Sequence, residues 1–178
     1  MKFLFNKGYL IIFLFFIISF AYGFDNFHCT GNHLASNISL IENTNRSIFL
    51  FVLLNNLAFS VVILLGAFSF NIVSFAVVVY NGYSWGLQAA ISVCKMGISL
   101  TLKSVLPHLF FELAWIFLSI FLSFRISILF YQLLNDTISS QDFYDSIKGK
   151  KKLLLFIILL ICIGAIIETY VTPSFLTN

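Results

Sequence analysis

Charged side chains are scarce in this sequence: Asp, Glu, Lys and Arg make up 10% of its 178 residues, against 60% hydrophobic residues, and mean hydropathy is +1.01. A soluble domain carries about a quarter charged residues. The balance excludes that class and implies an all-α, polytopic membrane helix bundle. Proline and glycine are few as well, at two and nine, which excludes a linker-rich or disordered chain. No internal repeat or low-complexity block interrupts the apolar runs, so residues 1–178 are expected to form a single integral membrane domain. Three Cys and three His give neither a disulfide framework nor a four-ligand zinc pattern. The formal charge of +3 is small and gathered at one end of the spans. It suits lipid headgroups, and no nucleic-acid partner is expected.

What is present is apolar sequence in span-sized pieces. A crossing needs about 20 residues, and five spans are expected, near residues 9–24, 48–68, 72–93, 105–124 and 153–170. The first, Tyr9 to Phe24, follows a short basic start and reads as a retained anchor. Ala21-Tyr22-Gly23 also offers small residues where a signal peptidase would require them. From Ser47 to Val93 no residue is charged, a length that fits two helices with a turn near Phe68-Ser69-Phe70-Asn71. Residues 126–147 mix apolar and acidic positions and are expected to lie along the interface, within a cytoplasmic segment 125–152. Lys2, Lys7, Arg125, Lys148, Lys150, Lys151 and Lys152 on one side outweigh Arg46, Lys95 and Lys103 on the other, which sets the N-terminus inside, and the loop 25–46 and the C-terminus outside. Cys29 and Cys94 then share the outer side. A disulfide there is geometrically allowed but free thiols are expected, and His28, Cys29 and His33 fall short of a metal cluster.

Ionisable side chains inside spans are the candidate functional residues, because they are costly there and normally face a bundle interior or a wet cavity. His108 and Glu112 stand four apart and so share one helix face. They are expected to form an interior hydrogen-bonded pair, with Glu168 as a second acid near the outer end of the last span. Asn56 and Asn81 are amides suited to interhelical hydrogen bonds, and Gly82 with Gly86 forms a small-xxx-small face for close helix approach. Pro107 suits the first turn of its span, where the missing N–H is no loss.

Asn55-Asn56, Tyr80-Asn81-Gly82 with Gly86, Leu106-Pro107-His108 followed by Glu112, and Glu168 with Thr172-Pro173 together resemble the stage II sporulation protein M family over roughly residues 47–175. Leu109 stands where a Gly commonly follows Pro-His, and Ser119 and Ser123 where small glycines are common. The resemblance implies a bacterial or archaeal integral membrane protein. The named member is a membrane scaffold holding cell-wall hydrolases during forespore engulfment, and short relatives lie beside circular bacteriocin genes, with a role in production or immunity.

A non-enzymatic scaffold or accessory protein is therefore expected, without cofactor or metal, working with other membrane or cell-envelope proteins and with room for a homo-oligomer. The runner-up is a transporter or channel subunit using Glu112, His108 and Glu168. A metallohydrolase fares poorly, because Glu112 and Glu168 would both have to join His108 as ligands. Serine chemistry has no nucleophile elbow and no second base within the spans.

Overall fold

The computed structural model describes residues 2–27 and 45–176. His28, Cys29, His33 and most of the outer loop lie outside the described residues. Among the described residues there are helices and no strand: α1 (Lys2–Asp25), α2 (Asn45–Leu65), α3 (Ile72–Leu134), α4 (Ser140–Lys148), α5 (Lys151–Ile166), a π-helical turn (Ile167–Val171) and α6 (Thr172–Leu176). Four helical stretches are long and apolar enough to cross a membrane, at Gly8–Asp25, Ser47–Ser69, Ile72–Leu134 and Ser140–Ser174. The chain is an all-α membrane helix bundle.

At 63 residues, α3 would extend about 95 Å if straight, three bilayer cores deep. It is folded instead. Gly97 has φ 80° and ψ 163°, a region only glycine occupies readily. The ring pairs show what it does. Phe15 meets Phe75 and Tyr22 lies against Tyr83, so residues 72–96 run parallel to α1. Phe13 meets Phe117 and Tyr9 meets Phe121, so residues 98–134 run back. The stretch 94–104 is thus a helical hairpin tip, and Pro107 falls inside a helix. The first-turn position expected for it is displaced because the second limb starts nine residues earlier, so its ring leaves the Lys103 carbonyl without its usual helical donor.

A second reversal joins α2 to α3. Gly66–Ser69 forms a 3₁₀ turn, Phe70 and Asn71 are left-handed, and the Asn71 N–H closes on Gly66 O at 2.8 Å. Ser74 caps this turn by donating to Ile63 O at 2.6 Å.

Lipid tails are as apolar as leucine, so a bundle is held by close packing and by polar bonds between helices. Both are present. Gly82 and Gly86 are buried against α1, where a Cβ would strike the backbone of Phe16 and Phe20. The second limb carries Ser119, Ser123 and Ser127, all buried and one helical turn apart. Ser119 bonds Ser60 of α2 at 3.0 Å. Ser123 donates to Asn71 Oδ1 at 2.8 Å, and its Oγ lies 3.1 Å from that of Ser74. Around this ladder pack Phe16, Ile63, Trp115, Ile116, Ile120, Ile157 and Ile161, each no more than 1% exposed.

Residues 126–134 extend the second limb, and α4 follows as a short helix with no buried residue. Its start is a capping box: the Asp142 N–H donates to Ser139 Oγ, and the Ser139 N–H donates to the Asp142 carboxylate. The Ser139 hydroxyl, donating to Asp142 Oδ2 at 2.6 Å, and the Ser139 N–H together hold the Asp142 carboxyl below its usual range. Cys162 is free, whereas Cys94 is disulfide-bonded. The expectation of free thiols fails for Cys94, which sits beside the exposed hairpin tip rather than inside the bundle.

Candidate functional site

The second limb and the C-terminal helix run antiparallel, and that register assembles the site. Phe111 packs beside Gly164, and His108, three residues earlier, lies against Thr172, eight residues later, so the two run in opposite directions. His108 faces Thr172 and Glu112 faces Glu168. One ligand atom from each of His108, Glu112 and Glu168 lies within 4.8 Å of the other two. Glu168 falls in the π-helical turn Ile167–Val171, whose wider pitch shifts the side chains relative to an α-helix and often marks functional positions.

The surroundings are largely buried. Glu112 is 8% exposed, Asn56 8% and Thr172 7%, while His108 and Glu168 are half-buried. The direct His108–Glu112 hydrogen bond expected from their spacing is absent. Each side chain has its polar neighbour on another helix instead: His108 Nδ1 lies 3.4 Å from Thr172 Oγ1, and the Asn56 side chain of α2 stands beside the Glu112 carboxyl. Three helices therefore meet at one polar point. Buried polar groups normally find partners, yet Trp115 Nε1, a turn beyond Glu112, and Thr169 Oγ1, beside Glu168, have none among the described residues.

Electrostatics sets the chemistry of the cluster. Two full negative charges within 4.8 Å of each other would repel by about 3.5 kcal/mol or more at an effective dielectric near 20. No Lys or Arg lies between residues 104 and 124, 47 and 69 or 153 and 171. Positive charge to offset the pair must come from outside these stretches.

Other sequence candidates fall elsewhere. Asn81 is half-buried beside Gly82 on the first limb and no hydrogen bond ties it to the cluster. Gly82 and Gly86 serve the contact with α1. Asn55 is exposed where Asn56 is buried, so one of two adjacent amides enters the site. The interhelical serines escaped sequence reasoning, although the four-residue spacing of Ser119, Ser123 and Ser127 was a usable signal. A half-open cavity of about 510 Å³ sits at the opposite end of the second limb, lined by Phe121, Arg125, Gln132 and Lys150 among others, and is separate from the cluster.

Residues 9–173 match the family model described as stage II sporulation protein M. An uncharacterised protein of Methanocaldococcus jannaschii is 32% identical over 127 residues, covering 71% of each chain. No solved structure matches.

Proposed function

The chain belongs to the stage II sporulation protein M family, and from that premise we propose that it is a non-enzymatic membrane scaffold or accessory subunit. It crosses the bilayer five times and holds other membrane or cell-envelope proteins in a complex. The observation that carries this reading is how the polar side chains within the helices are used. Ser60, Ser74, Ser119, Ser123 and Asn71 bond to one another across helices and make the bundle rigid, as a platform requires.

The orientation proposed is N-terminus inside and C-terminus outside. In support, Gly8 packs on Phe124, which places the start of α1 at the same end as Arg125 and the Lys148 to Lys152 cluster. The disulfide at Cys94 belongs to the opposite end, as an oxidising exterior favours. The process served, whether sporulation and wall remodelling or circular bacteriocin production and immunity, is read from the family alone.

One observation favours a second reading. His108, Glu112 and Glu168 converge in a largely buried interior, as groups on a proton or ion path do, which would suit a transporter or channel subunit. Purification of the tagged protein in mild detergent, followed by reconstitution, separates the two. Stable co-purifying envelope proteins and no flux by the isolated chain are expected. Proton- or ion-dependent flux by the isolated chain in liposomes would overturn the scaffold reading.

A further inference from the structure

We propose that His108, Glu112 and Glu168 form a binding site for a divalent transition-metal ion, of which Zn²⁺ is the best chemical fit, that clamps the C-terminal helix to the second limb of α3. This goes beyond the scaffold reading and does not depend on it.

The donor set is one imidazole and two carboxylates, contributed by two helices more than fifty residues apart in sequence. An imidazole in the set disfavours Mg²⁺ and Ca²⁺, which prefer all-oxygen shells. Around a tetrahedral ion with bonds of ~2.1 Å, donors stand about 3.4 Å apart. Here they lie within 4.8 Å of one another, so side-chain adjustments of little more than about 1 Å close the site. A dication also cancels the two carboxylate charges, and no basic residue lies in the stretches 47–69, 104–124 and 153–171 that surround them.

The partners around the triad are of the kind that orient metal ligands. Thr172 Oγ1 lies 3.4 Å from His108 Nδ1, and the Asn56 side chain stands beside the Glu112 carboxyl. With three protein ligands, a water completes the shell. Helical bundles elsewhere build metal sites in the same way, from inward carboxylates and a histidine one turn away on facing helices.

The test uses the full chain purified in mild detergent, stripped with a chelator and then supplied with Zn²⁺. Elemental analysis is expected to find one Zn²⁺ per chain, with a higher unfolding temperature than the stripped protein. Co²⁺ in place of Zn²⁺ is expected to give visible absorption of a nitrogen- and oxygen-ligated ion. Glu168→Gln keeps the side-chain size and is expected to weaken Zn²⁺ binding at least tenfold. A double variant, His28→Ala with His33→Ala, removes the other two histidines of the chain and is expected to bind as the unaltered chain does. Binding that survives Glu168→Gln but is lost in the double variant would overturn the proposal. So would a stripped protein whose unfolding temperature and Co²⁺ spectrum do not respond to added metal, a result that needs no variant to fold.

Discussion

Replacing Gly97 by Ala tests the hairpin at the centre of the fold, because the two backbone conformations open to this position predict effects of opposite sign. At φ 80° and ψ 163° a Cβ is strained by its own backbone, and nothing else lies within 4 Å of where it would stand. The cost is therefore conformational alone, about 1–3 kcal/mol. Lost freedom of the unfolded chain offsets about 0.4–1 kcal/mol of it. A net loss of about 1–2 kcal/mol remains, a factor of about 5 to 30 in the ratio of folded to unfolded protein. Were residue 97 the interior of an unbroken helix, Ala would instead stabilise by about 1 kcal/mol. Unfolding in mixed micelles with rising dodecyl sulfate, followed by Trp85 and Trp115 fluorescence, measures the difference. A midpoint that is unchanged or raised would refute the hairpin.

Glu112→Gln should accumulate normally in membranes, since an amide of the same size keeps a hydrogen-bonding group beside Asn56. Glu112→Leu strands that buried amide at about 1–3 kcal/mol and should lower the membrane level seen by immunoblot; equal levels of the two would sink the argument. For α4, the depressed Asp142 carboxyl means that its folded value lies below its unfolded one. The capping box thus contributes above the ordinary carboxylate range and is lost as pH falls through the lowered value. Hydrogen exchange of the residues 140–148 amides should accelerate at that acid edge, and Asp142→Ala should remove the pH dependence. An alkaline phosphatase fused after Asn178 should be active and a cytoplasmic fluorescent reporter there dark; the reverse would invert the proposed orientation.

The membrane bundle was legible because composition and run length state it directly. So was the shared face of His108 and Glu112, which needs only helical spacing. The arrival of Glu168 was not legible, since it depends on the register between two antiparallel helices, and uniformly apolar flanks such as Leu153 to Ile163 do not encode a register. The partners of His108 and Glu112 were misread for a related reason. Spacing shows which side chains are neighbours on one helix, but Thr172 and Asn56 come from others and are better placed to bond. The serine ladder stayed hidden because a serine in a span can equally bond its own helix, as Ser19 does to Phe16 O at 2.9 Å. Gly97 was hidden inside a connection that reads simply as a loop.

The seat of α1 carries a consequence for biogenesis. Its glycine-lined contact is made by Gly82 and Gly86, and its aromatic contact by Phe117 and Phe121. All of these are translated later than α1 itself. Phe124, which closes over Gly8, follows Phe24 by about 100 residues, or about 5–20 s at ordinary rates of synthesis. For that interval the first helix waits in the bilayer with its protein-facing side turned to lipid or to the insertion machinery. Whatever shelters it then is needed only until the hairpin arrives.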